Sequence, residues 1–277
     1  MKHAFLIMAH NRFDQLELLV KSLNHADVGI FIHIDSSSHD FPSIDFNSFL
    51  DENQVVEIIF GKVYWGGYTQ IQAERKLFAA AATRGYDYYH LISGDSMLLV
   101  SVDTFICKVS EQYPKQLMEF NHTANEDMVQ QRVRYFYPTD FIKNRKLSAV
   151  FGFKISPILN RILGIDRLEG ITDVTLRKGS NWVSITDSAV KCLLLERNIQ
   201  ISEQLFRYGF LVDELYVQTI LTNADSRFEF ADYVWDIDWS RGKPYTFDID
   251  DVDELEQSNK LIARKVTTEL FKNFKVK

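Results

Sequence analysis

The first hundred residues alternate apolar runs with helical periodicity. Residues 4–9 (AFLIMA), 28–34 (VGIFIHI), 55–60 (VVEIIF) and 88–92 (YYHLI) are almost continuously apolar. They lack the in–out alternation of a half-exposed strand, so they predict strands buried on both faces of a sheet. Between them, Phe13, Leu16, Leu19, Val20 and Leu23 recur at helical spacing within 12–24. A second helix is expected over 69–84, stopped by Gly85, and a third over about 101–113. The order β-α-β-β-α-β-α predicts an α/β domain whose helices cover a mostly parallel sheet. Ligands of such sheets sit beyond the carboxyl ends of the strands. Here those ends carry His10-Asn11, Asp35-Ser36, Val63-Tyr64-Trp65 and Ser93-Gly94-Asp95.

The second half is less regular. A loop (Lys178-Gly179-Ser180-Asn181-Trp182) leads into a short strand, WVSIT, then a helix at about 187–197. Asp213-Glu214 opens another helix, LYVQTILTN. There is no internal repeat and no clear domain boundary, so one domain over 1–277 is expected.

Charge refines this picture. The 277 residues hold 31 Lys plus Arg against 38 Asp plus Glu, a net charge of −7, which argues against a general nucleic-acid binder. The charges are segregated, however. Residues 128–162 contain seven bases (Arg132, Arg134, Lys143, Arg145, Lys146, Lys154, Arg161) and one acid, Asp140. Residues 248–256 contain six acids, and 259–277 contain six bases and one acid. The basic stretch suits an acidic or lipid-diphosphate acceptor, a peripheral contact with a membrane surface, or plain solvent. The two cysteines, Cys107 and Cys192, lie in apolar surroundings and form no disulfide framework. The apolar run at the amino end is too short for a signal peptide and no run approaches the length of a membrane span, so a cytoplasmic location is expected.

P-loop, dinucleotide-binding and hydrolase-elbow motifs are absent, and His3, His10, His33, His39, His90 and His122 lack metal-ligand spacing. A nucleotide-sugar enzyme usually grips its diphosphate through a metal on an Asp-x-Asp after a central strand. Asp236-Ile237-Asp238 and Asp248-Ile249-Asp250 have the spelling but follow no strand of the first-half sheet. The expected place holds one acid, Asp95, a poor grip for a divalent ion. A diphosphate here would therefore be met by Lys or Arg.

Eight segments in order then form a pattern. His10 after a strand, HID at 33–35, VYWGGYTQIQAERKLF at 63–78 and LISG at 91–94 are followed by KGSNWVSIT at 178–186, LVDELYVQTILTN at 211–223, DWSRGKPYTF at 238–247 and SNKLIARKV at 258–266. The series resembles the Core-2/I-branching family of glycosyltransferases, which includes peptide O-xylosyltransferases, and spans most of the chain. The resemblance implies a GT-A-like nucleotide-sugar-binding sheet with flanking helices, in a metal-independent, inverting variant. It divides the chain into a nucleotide-binding half, 1–125, and an acceptor and catalytic half, 126–277, with a basic tail.

The same resemblance implies roles. Glu214 is the general base that takes a proton from the acceptor hydroxyl. Arg241, Lys243, Arg264 and Lys265 face the diphosphate, Lys265 foremost, with the choice between Arg241 and Lys243 open. Asp35 and Tyr64 hold the nucleoside, with His10 close by, and Asp95 reaches the donor sugar although it sits one position early. Glu119, Arg132, Arg134, Trp182, Trp235 and Trp239 line the acceptor cleft. Asp213 caps its helix. Implied partners are a UDP-sugar, with UDP-GlcNAc the first expectation and UDP-xylose, UDP-glucose and UDP-galactose open, and a glycan or lipid-linked oligosaccharide acceptor of bacterial surface polysaccharide synthesis. No cofactor is implied. A non-catalytic nucleotide-sugar or glycan-binding protein and a metal-dependent transferase using Asp95 remain as alternatives.

Overall fold

A computed structural model describes residues 1–38, 41–42, 44–51, 54–171, 174–224, 227–231, 234–241 and 244–276. Lys243 and His39 therefore lie outside the described residues. In chain order the first half contains β1 (His3–Ala9), α1 (Phe13–Ser22), β2 (Val28–Asp35), β3 (Val56–Gly61), α2 (Thr69–Ala82), β4 (Tyr88–Ser93), β5 (Ser96–Leu98), α3 (Val102–Ser110) and β6 (Gln116–Leu117). There follow α4 (Glu126–Arg134), α5 (Arg145–Val150), a π-helical turn (Phe151–Ile155), α6 (Ser156–Ile162), β7 (Val183–Thr186), α7 (Asp187–Leu193), α8 (Glu196–Phe206) and α9 (Asp213–Thr222). The chain ends with β8 (Phe230–Ala231), β9 (Trp235–Asp236), α10 (Val252–Gln257), β10 (Ile262–Arg264) and α11 (Thr268–Asn273).

The main sheet runs β3-β2-β1-β4-β7-β6-β8, so it draws strands from both halves of the chain. β1 to β4 are parallel, and β7 enters antiparallel to β4. β1 lies between strands reached in opposite directions, the topology that opens a binding crevice at the carboxyl edge. Register lines up that edge, because Ala9 pairs with Ile34, Met8 with Ser93 and Asp35 with Gly61. The strand interiors form one apolar core with the inner faces of α1, α2 and α3, as their unbroken runs require.

A second sheet, β5-β10-β9, folds the carboxyl-terminal segment onto the first half. Arg264 pairs with Ser96 across it, so the basic tail is anchored directly beyond β4. Sequence patterning does not reveal this sheet, since its strands span only two or three residues each. The helix expected at 187–197 is two helices, α7 and α8, with a break at Leu194-Leu195.

The histidines at the opposite end of the sheet are structural. His3 Nδ1 lies 2.9 Å from His90 Nε2, and His90 Nδ1 lies 2.6 Å from Ser184 Oγ. Burial lowers the pKa of both rings, His3 to about 4, so they stay neutral and satisfy one another across β1, β4 and β7.

Candidate active site

Two clusters of charged side chains are built at this edge and the loops around it. The first surrounds Asp95, in the turn leaving β4. Its carboxylate lies 3.1 Å from Lys265 Nζ and 3.5 Å from Arg264 Nε, and it accepts the Ser93 hydroxyl. Arg264 also donates to Ser93 Oγ at 2.8 Å and stacks over the Trp182 ring at 4.7 Å. Burial alone would raise the Asp95 pKa, but the two cations and the Ser93 hydroxyl outweigh it and hold the carboxyl below its usual range. Arg12, in the left-handed turn before α1, donates to the Val266 carbonyl at 3.1 Å, next to Lys265.

His10 stands beside this cluster. Crowding by the surrounding protein lowers its pKa. Asp95 opposes that shift, Lys265 adds to it, Asp35 opposes it and Arg145 adds to it. His10, Asp35, Asp95 and Lys265 are thus close enough to sense one another's charge. Asp35 accepts from the backbone N–H groups of Ser37 at 3.0 Å and Val63 at 3.4 Å, which ties the ends of β2 and β3 together. Tyr64 follows directly, its N–H donating to Thr69 Oγ1 at 2.8 Å.

The second cluster surrounds Glu214, in the first turn of α9. Arg132 Nη1 lies 2.7 Å and Lys178 Nζ 3.4 Å from its Oε2. Both of these contacts fall on one oxygen, and no described residue makes a hydrogen bond to Oε1. The loop before α9 is shaped for this. Tyr208 and Leu211 take positive φ angles, Leu211 O accepts from Arg132 at 3.0 Å, and Leu211 N–H donates to Gly66 O at 2.8 Å. Gly66, itself at φ 77°, leaves room for the Phe210 ring, 2.8 Å from where a Cβ would stand. The WGG turn is thereby fastened to the segment that carries Glu214.

Beneath Glu214 lie two buried carboxyls. Asp213 accepts from Gln70 Nε2 at 2.7 Å. Burial and the neighbouring Glu214 charge raise its pKa, against the pull of Arg132. Glu74, on α2, is completely buried, and burial together with Asp213 pushes its pKa well up. Asn181 offsets part of that cost, although neither Glu74 oxygen makes a hydrogen bond of good geometry.

A cavity of about 670 Å³ opens beside Lys178, walled by Phe120, His122, Arg134, Asp166 and Leu176 among others. Arg134 pairs with Asp166 across 3.6 Å. Glu119 precedes this wall, and its carbonyl lies 1.9 Å from where a Gly179 Cβ would stand, so the chain passes close to the Glu214 loop.

The structure thus brings together His10, Asp35, Asp95, Arg264 and Lys265 in one place, and Glu214, Arg132 and the approach of Glu119 in another. Several expectations change. Trp235 is 2% exposed and belongs to the core, so its ring offers no face to a sugar. Trp182 is 6% exposed and holds the Arg264 guanidinium instead. Arg132, expected along the acceptor cleft, is the direct partner of Glu214. Arg241, expected at the diphosphate, is held in a nest of acids. It binds Asp238, lies 3.2 Å from Asp251 and 3.0 Å from Glu254, and covers the Tyr245 ring at 3.7 Å. Trp239 is exposed. Lys178, Gln70 and Glu74 are additions. Each lies in a segment that carries the resemblance, but only packing reveals that it faces the site. Among the described residues, no three His, Cys, Asp or Glu side chains are grouped to hold a metal ion.

The chain thus presents a mostly parallel α/β sheet with cations at its carboxyl edge and a cation-held glutamate at a helix start. A model of the Core-2/I-branching enzyme family matches residues 3–274, and the chain belongs to that family. Among solved structures the chain is similar to mouse xyloside xylosyltransferase 1 in its apo form, with 12% identity, a TM-score of 0.40, and coverage of 95% of this chain and 97% of that one. No curated protein sequence matches significantly.

Proposed function

We propose that the protein is an inverting, metal-independent glycosyltransferase that moves GlcNAc from UDP-GlcNAc to a hydroxyl of a glycan or lipid-linked oligosaccharide in bacterial surface polysaccharide synthesis. The observation that carries the reading is the asymmetry of Glu214. Arg132 and Lys178 grip Oε2, which fixes the carboxylate and leaves Oε1 to receive a proton. An acceptor hydroxyl seated in the cavity beside Lys178 gives its proton to Oε1 as its oxygen bonds to C1 of the sugar. The bond from C1 to the nucleotide oxygen breaks on the opposite face, and the electron pair leaves with UDP. Lys265, next to Asp95, meets the charge that develops there, the work a metal does in other transferases. Tyr64 and Asp35 hold the nucleoside at the ends of β2 and β3. Support for the metal-free route is that Asp95, the acid beyond β4, is already engaged by two cations.

The test is UDP release and sugar transfer from a panel of UDP-sugars in excess EDTA, for the wild type and Glu214→Gln. Turnover should persist with chelator, be fastest with UDP-GlcNAc, and fall roughly a hundredfold or more in the variant while UDP affinity is kept. Loss of turnover on chelation overturns the metal-free route, and full activity of the variant removes Glu214 from the chemistry.

A further inference from the structure

One helix of the fold is mounted inside out. α5, the π-helical turn and α6 form a continuous helical rod from Arg145 to Ile162. The residues it turns inward are Ser148, Gly152, Ser156 and Asn160, all small or polar and four apart. Their contacts are specific. Ser148 Oγ donates to Trp65 O at 3.1 Å, Asn160 Nδ2 donates to Phe136 O at 3.0 Å, and a Cβ on Gly152 would stand 2.4 Å from the Phe210 ring. The rod is therefore held by its polar stripe, and most of its large apolar side chains face water. Phe153 is 60% exposed, Ile162 75% and Leu163 68%, with Leu147, Ile158 and Leu159 at 50% or more. Of nineteen exposed large apolar side chains among the described residues, ten fall within 136–165. A soluble monomer seldom leaves such a patch uncovered.

The charges on the patch identify what covers it. Residues 141–165 carry Lys143, Arg145, Lys146, Lys154 and Arg161 and no acid, within a chain of net charge −7. All five are exposed. A second copy of the chain would set these five cations against five more. An anionic lipid surface matches both features, apolar side chains entering the acyl boundary and cations meeting headgroups. No described helix is long and apolar enough to cross a membrane, so the rod would lie in the interface plane. We infer that the outward face of the 145–162 rod docks the protein onto a bilayer rich in anionic phospholipid. The inference rests on this face and stands whether or not the chain transfers a sugar. The rod also adjoins the site, with Arg145 over the Trp65 ring at 4.8 Å. For the transfer proposed above, docking would bring the cleft to the surface where a lipid-linked acceptor is presented.

The experiment is co-sedimentation of the full chain with phosphatidylglycerol-rich vesicles and with pure phosphatidylcholine vesicles, alongside analytical ultracentrifugation without lipid. The wild type should bind the anionic vesicles, weaken as salt rises, and sediment as a monomer when lipid is absent. Lys143→Gln, Lys146→Gln and Lys154→Gln combined should lower partitioning roughly a hundredfold, at about fivefold per charge. Ile158→Ser, Ile162→Ser and Leu163→Ser combined should lower it by a similar factor, with thermal stability kept because all three side chains are exposed. No binding to anionic vesicles overturns the inference. So does a wild-type dimer that the triple serine variant dissociates, which would assign the face to a second copy.

Discussion

Asp95 and Asp213 are both nearly buried aspartates, each next to a residue of the proposed chemistry, and their surroundings drive them in opposite directions. Asp95 lies between Arg264 and Lys265 and titrates below its usual range. Asp213 has Gln70 for a direct partner, Glu214 as a charged neighbour and Glu74 behind it, and its pKa is raised. Burial has the same sign at both sites. The contrast therefore comes from the neighbours: two cations in contact reverse the cost of burial, while one amide does not. The donor end sets two cations against one carboxylate, a surplus of positive charge that a leaving UDP can engage. The Glu214 end holds surplus acid that the fold keeps partly protonated.

The largest effect on this contrast should come from Asp95→Asn. It removes the carboxylate from two cations that are 14% and 30% exposed. Broken buried pairs cost about 3–5 kcal/mol, and the access of Lys265 to water brings this nearer 2–3 kcal/mol. The sign follows from the lowered pKa. The contribution of Asp95 is present above its ordinary value of 3.8 and is lost as pH falls through the lower folded value. Thermal melts should show a wide gap between wild type and variant at neutral pH that closes in acid. Equal stability at pH 7 would mean Asp95 does not balance the cations.

Next in size is Lys265→Ala. A charge-assisted contact to phosphate is worth about 1.5–3 kcal/mol, so UDP affinity measured by calorimetry should drop about tenfold or more. Because Lys265 already touches Asp95, the same change made in the Asp95→Asn background should cost more. Unchanged UDP affinity in both backgrounds would show that the tail does not reach the phosphates.

The donor end was the more legible in sequence. β1, β2 and β4 announce themselves because strands buried on both faces have no polar side. β3, equally apolar in sequence, is the half-exposed edge strand with Phe60 in solvent. The register of the four assembles His10, Asp35 and Asp95. Lys265 was expected there from its motif, although the pairing of β10 with β5 that delivers it is too short to leave a pattern. The Glu214 end was half legible. Glu214 itself stood out, but Glu74 sits in a charged helical run, QAERK, that reads as solvated until α2 packs on the sheet. Trp182 and Trp235 turn out buried, and sequence does not declare whether an aromatic ring meets a ligand or the core. The 145–162 rod escaped prediction because its polarity is inverted, with the fold taking the serines and asparagine.

Asp213→Asn should give the smallest effect and the opposite sign. Asparagine keeps the oxygen that accepts from Gln70 Nε2. The folded pKa of Asp213 lies above its ordinary value of 3.8, so the native state holds a proton that the unfolded chain has released. Native stability therefore declines as pH rises from 3.8 through the raised value, and the asparagine variant escapes that decline. The variant should match the wild type near pH 4 and exceed it by about 1–2 kcal/mol at neutral pH and above, read as a higher unfolding midpoint. Transfer activity is a separate readout, since Glu214 keeps Arg132 and Lys178 whichever residue precedes it. If Asp213→Asn loses stability at neutral pH as Asp95→Asn does, Asp213 is a paired charge like Asp95, and the difference between the two ends disappears.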